Sequence, residues 1–170
     1  MAEISELLWN DDVGESAYQE GAASYQSAVI EQYKLCVEMA DRVAARRNLA
    51  NTFFLTLNSA LVAALGTWMS GAKRPDPPVL VLVAGLLVVL AVCTAWWFTV
   101  RSYRQLNWGK FKVIEALEER LPARAFVSAE WKILEEGRNW RVYTPLVHVE
   151  RWVPVIFGLA YVLGFAALAW

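Results

Sequence analysis

The stretch VLVLVAGLLVVLAVCTAWWFTV, residues 79–100, has no charge, and its only polar side chains are Thr94 and Thr99. At 1.5 Å per residue it reaches ~33 Å as a helix, enough to cross a hydrocarbon core of about 30 Å. Two other stretches follow the same logic. Residues 153–170, VPVIFGLAYVLGFAALAW, carry no charge and reach ~27 Å, which suffices for an upright helix or a locally thinned bilayer. Residues 51–70 are mostly apolar but keep several amides and hydroxyls. A chain of 170 residues that is 57% hydrophobic and holds nine Trp does not suit a small soluble core with its surface in water. The expected fold is an all-α integral membrane protein: three transmembrane helices with long cytosolic helical extensions, packed as a homo-oligomer.

The spans organise the rest. Residues 1–20 read as an acidic flexible tail; no Lys or Arg precedes Lys34, the opposite of a signal peptide's basic start, so the first span is expected to be retained. Residues 21–50 read as a cytosolic helix continuous with the first span at 51–70, since no Pro or Gly interrupts the chain between Ala22 and Gly66. Ala22, Val29, Cys36 and Val43 recur at heptad spacing beside Tyr25, Tyr33 and Ala40, a seam for helix packing. Residues 71–78 form an external turn, with Gly71 as a C-cap and Pro78 in the first turn of the second span, 79–100.

Residues 101–152 make a cytosolic helical region. Its first helix has Leu106, Phe111, Ile114, Leu117 and Leu121 on one side and stops at Pro122. A short helix from Ala129 to Glu136, capped by Ser128 and ended by Gly137, comes next. The stretch RNWRVYTPLVHVERW is irregular or extended, and Pro154 opens the last span, 153–170.

Basic residues set the orientation. Arg42, Arg46 and Arg47 precede the first span, and Arg101, Arg104, Lys110 and Lys112 follow the second, whereas the link between them has only Lys73 and Arg74. By the positive-inside rule the N-terminus is cytoplasmic and the C-terminus external. Trp96, Trp97 and Trp152 fit the inner aromatic belt, Trp68 and Trp170 the outer one. Cys36 and Cys93 are expected as free thiols. Small residues at Ala84, Gly85, Ala91 and Ala95, and at Gly158, Ala160, Gly164 and Ala167, mark expected sites of close helix contact.

At 100° per residue, Asn48, Asn51, Thr52, Thr56, Asn58 and Ser59 share one arc of the first span, opposite Phe53, Phe54, Leu57, Leu61 and Trp68. An unpaired amide in lipid costs several kcal/mol, so this arc must face other helices or water. Two readings stay open: interhelical hydrogen bonds that hold an oligomer together, or the lining of a polar opening. Lys34, Glu38 and Asp41 prolong the arc. Arg42 and Arg46 lie on the lipid side, placed for anionic phospholipid head groups, and Glu38 and Arg42 stand in favourable i, i+4 order.

Catalytic signals are missing. Lys110 follows Gly109, but Phe111 stands where a P-loop needs Ser or Thr, and the setting is a helix. His148 is the single histidine, beside Glu150, so the chain has no histidine-based metal set; a packed residue or a pH sensor are its two readings. The expectation is a non-enzyme with no cofactor, metal or nucleic-acid partner, surrounded by lipid. A protein partner is left unassigned.

The blocks EQYKLCVEMADRVAARRNLANTFFLTLNSAL, NWGKFKVIEALEERLP and YTPLVHVERWVPVIF resemble the RipA-like family of octameric bacterial inner-membrane proteins. The resemblance extends from about Glu31 to the C-terminus. It implies a multi-pass protein of the bacterial cytoplasmic membrane and a homo-octamer. It also draws attention to Glu38, Asp41, Arg42, Arg46, Arg47, Asn51 and Asn58, to Lys110 and Lys112, and to Tyr143, Pro145, His148 and Glu150 in the cytosolic loop. The layout of spans and basic helix is also similar to SLATT membrane effectors of bacterial defence. The function expected is a structural or regulatory membrane assembly; the alternative is a pore-forming or membrane-disrupting effector with the polar face of the first span around a central opening.

Overall fold

The computed structural model describes residues 2–19, 21–70, 78–139, 141–143 and 146–169. The described residues are all-helical: α1 (Ala2–Leu8), α2 (Ala22–Ser70), α3 (Val79–Glu118), a single turn α4 (Trp131–Ile133) and α5 (Leu146–Ala169). Three of these helices are long and apolar enough to cross a membrane, with candidate spans in Ala22–Ser70, Val79–Glu118 and Val149–Leu168. Both α2 and α3 run without interruption from apolar into charged sequence, because nothing in either breaks the i to i−4 ladder. The turn expected at 71–78 lies outside the described residues except for Pro78, whose carbonyl accepts from Val81 N–H at 2.8 Å. Trp170 and Pro145 also lie outside them.

The chain divides into two compact units. The first comprises Met1–Ala45 and Gln105–Pro145. Its core holds Val29, Ala40 and Val43 of the α2 seam and Ile114 and Leu117 of the α3 stripe, together with Ala116, while Ala22 at the start of the seam is exposed. Leu106 and Phe111 stay largely exposed, at the other end of that stripe. The second, spanning unit comprises Arg46–Arg104 and Leu146–Trp170. Cys93, Trp96, Val100, Pro154 and Tyr161 are buried in it, together with Asn58.

Local structure departs from the sequence reading at several places. Residues 2–8 form a helix where a frayed tail is expected, and the Arg120 guanidinium lies 3.5 Å from the centre of the Trp9 ring. That cation–π contact, with Arg120 also donating to the Tyr25 hydroxyl at 3.0 Å, ties the tail to the first unit. Ser128 does not cap a helix. It sits inside a wide turn, Ala125–Glu130, closed by Ala129 N–H to the Arg124 carbonyl at 3.2 Å. Glu135, Glu136 and Gly137 then all take positive φ, of 51°, 55° and 69°, which ends the helical path.

The region expected to be irregular before Pro154 is helical from Leu146 onward. Pro154 removes one backbone bond, the one to the Glu150 carbonyl, and the helix continues through it. The small residues also depart from expectation. Added methyl groups at Gly85 or Gly164 would meet nothing within 4 Å, and at Gly158 only Leu90, at 3.8 Å. Close helix contact therefore does not explain Gly85 and Gly164 within one chain.

Candidate functional site: a polar ladder in the spanning unit

Arg47, Asn51 and Asn58 stand at i, i+4 and i+11 on α2, within about 40° of one another on the helix. All three point at neighbouring helices of the same chain. Asn58 is completely buried. Its Nδ2 donates to the Phe54 carbonyl at 2.8 Å, which leaves Oδ1 to accept from outside the helix. The Tyr161 hydroxyl of α5 lies 3.1 Å from that oxygen and 3.2 Å from the Asn58 backbone carbonyl, and the Cys93 thiol of α3 donates at 3.5 Å. One amide thus joins three spans, and no group of this node is left facing hydrocarbon.

Asn51 forms the next rung, where its Oδ1 accepts from the Trp96 indole N–H at 2.9 Å. Trp96 is in turn stacked on Phe54, with centroids 5.8 Å apart and planes at 10°, and packs against Phe157 at 6.0 Å. The last rung is an ion pair, Arg47 Nε to Glu150 Oε2 at 3.6 Å. Their side chains are only 16% and 22% exposed, and those two atoms have no hydrogen bond. The distance permits Coulomb attraction without the directional gain of a hydrogen bond. Beside it lies a cavity of about 290 Å³ whose walls include Asn48, Asn51, Thr52, Trp96 and Glu150.

The arc read from the sequence therefore splits in two. Asn51 and Asn58 are engaged within the chain, whereas Asn48, Thr52, Thr56 and Ser59 are exposed. Thr52 back-bonds to the Asn48 carbonyl at 3.0 Å, an economy typical of hydroxyls in spanning helices, which leaves its second lone pair for another partner.

The charged residues are also divided. Arg42 pairs with Glu38 at 2.6 Å and Lys112 with Glu115 at 2.8 Å, while Asp41, Arg46 and Arg104 are exposed. Arg101 sits over the Trp97 ring at 5.4 Å, and Lys110 is half-buried. Arg47 leaves the head-group cluster for Glu150, which belongs to α5 rather than to a loop. Tyr143 is exposed; His148 lies on α5, with its side chain outside the described residues. Among the described residues, no three His, Cys, Asp or Glu side chains are grouped as metal ligands would be.

Sequence reasoning missed Tyr161 and Glu118 and placed Trp96 in the inner aromatic belt, whereas Trp96 is buried with its indole N–H on Asn51. Tyr161 and Trp96 carried a usable signal, since a Tyr hydroxyl or Trp N–H inside a span needs a partner. Glu118 is 1% exposed in the first unit, accepting from the Tyr33 hydroxyl at 3.0 Å and from Val127 N–H at 3.2 Å. Burial, and then the hydrogen bond and charge of Glu118, push the Tyr33 hydroxyl from 10.0 up to about 12. Nothing in the sequence sets Glu118 apart from Glu115 and Glu119 on the same charged helix.

No curated protein and no solved structure matches the chain. A family model does match, over residues 30–170, and by that extent the chain belongs to the octameric membrane protein family (8xMP).

Proposed function

We propose that this chain is the subunit of a non-enzymatic, ring-like homo-octamer in the bacterial inner membrane, a RipA-like structural or regulatory assembly. Its subunits meet along the α2 stripe of Asn48, Thr52, Thr56 and Ser59. The observation that carries this reading is the split of the polar arc: Asn51 and Asn58 have partners inside the chain, and the exposed stripe still needs some in lipid. The N-terminus is cytoplasmic in this reading, with Arg42, Arg46, Arg101 and Arg104 against anionic phospholipid head groups. Thr52→Leu with Ser59→Leu removes the polar contact, so light scattering in detergent should give a smaller particle than for the wild type. An unchanged octamer would sink the assignment of this face.

The same exposed stripe supports a second reading, a pore-forming or membrane-disrupting effector whose opening it lines. Ion leak from liposomes separates the two. The pore reading expects leak that the same double substitution abolishes while the octamer persists, and tight liposomes with a dissociated variant favour the first.

A further inference from the structure

In the half of the spanning unit nearest Ser70 and Val79, α2, α3 and α5 line a cavity of about 670 Å³. Every residue on its wall is apolar except for the Trp68 indole N–H and the Tyr161 hydroxyl, and the latter is bound to Asn58. Each helix contributes one glycine to the wall: Gly66, Gly85 and Gly164. A methyl group at any of the three would meet nothing within 4 Å. Glycines between spanning helices ordinarily let backbones touch. Here they enlarge a hollow, and an unfilled hollow forfeits the dispersion contacts of everything around it.

We propose that this cavity binds one acyl chain of a membrane phospholipid. Its volume is more than four times that of the ~150 Å³ protein cavity that holds a benzene molecule, so its ligand is a long hydrocarbon rather than a small apolar solute. Its walls offer no charge to a head group, so recognition is of the chain alone. Leu65 and Val81 on the rim are 42% and 57% exposed, which makes the hollow reachable from the surface of the spanning unit, where the surrounding solvent is lipid.

A neighbouring subunit is the rival occupant. The cavity wall on α2 is centred on Leu61, Leu65 and Met69, about 120° round the helix from Asn48, Thr52 and Ser59, with Gly66 at its edge on that side. This choice of lipid over a second copy rests on the stripe being the subunit contact.

The test places a photoreactive diazirine analogue of leucine at position 86, a half-buried wall position, in the full chain reconstituted in phosphatidylethanolamine and phosphatidylglycerol vesicles. After irradiation, mass spectrometry should find an adduct of one phospholipid. Adding Gly164→Leu from α5, or Gly85→Leu from α3, should lower its yield about tenfold by filling the site, with the particle mass unchanged. Two independent filling variants guard against one that fails to assemble. Three results overturn the proposal: a subunit-to-subunit product in place of the lipid adduct, no adduct, or a lipid adduct that both filling variants leave intact. Because the adduct is read separately from particle mass, a failed stripe assignment and a failed lipid site give different results.

Discussion

Asn58 shows how much one amide decides. Its bonds reach both α3 and α5 from α2, and Asn58→Leu would take the side-chain acceptor from both Cys93 and Tyr161, leaving Tyr161 only the backbone carbonyl at position 58. Thermal unfolding in detergent should register a loss of about 1–3 kcal/mol, the cost of the lost buried hydrogen bonds. Tyr161→Phe should cost less in the Asn58→Leu background than in the wild type, and a double-mutant cycle without coupling would contradict the node. Glu150→Ala leaves Arg47 largely buried and unpaired. Because the pair is slightly exposed and too long for a hydrogen bond, a loss of about 1–2 kcal/mol is expected, below the 3–5 for a fully buried pair. Charge reversal of both residues, Arg47→Glu with Glu150→Arg, should recover stability that either single reversal loses. Gly85 and Gly164 carry the opposite lesson, since glycine in a spanning helix reads as close contact until a neighbour is sought and none is found.

At the scale of elements, α2 and α3 form unbroken helices because neither contains a Pro, and the isolated glycines Gly66, Gly85 and Gly109 are tolerated inside a helix. The segment before Pro154 was not legible as a helix. Proline favours a first turn but tolerates an interior one, and the choice depends on the packing of α5 rather than on its sequence. The wide turn at Ala125–Glu130 is likewise held from outside, through Val127 N–H on the Glu118 carboxylate. The Tyr33 hydroxyl on the same carboxylate has a pH signature. Tyr33, with its hydroxyl raised to about 12, keeps its proton in the folded state after the unfolded chain has lost it at 10.0. Its contribution is therefore full below pH 10 and is lost as pH rises toward 12. Circular dichroism melts across this window should show falling stability, and Tyr33→Phe should remove that part of the slope. A proline at Leu49, between the charged and apolar parts of α2, should cost about 3 kcal/mol by the same melts.

For the whole molecule, membership of an octameric family makes the exposed faces of the single chain the informative ones. The stripe from Asn48 to Ser59 and the centre of the cavity wall lie about 120° apart on α2, with only Gly66 shared in direction, so substitutions on α3 or α5 in the wall should leave the stripe's readout alone. Thr52→Leu with Ser59→Leu should change particle mass and not the lipid adduct; Gly164→Leu should do the reverse. Sequence by itself determined three segments long and apolar enough to span, the continuity of α2 and the polar arc, since each follows from transfer energies and helix periodicity along a single element. Only the tertiary structure decided which members of that arc are engaged inside the chain, that Arg47 meets Glu150, and that Glu118 is buried beneath Tyr33. Those pairings join residues far apart in sequence, and a helical wheel gives the direction in which a side chain points but not what stands there.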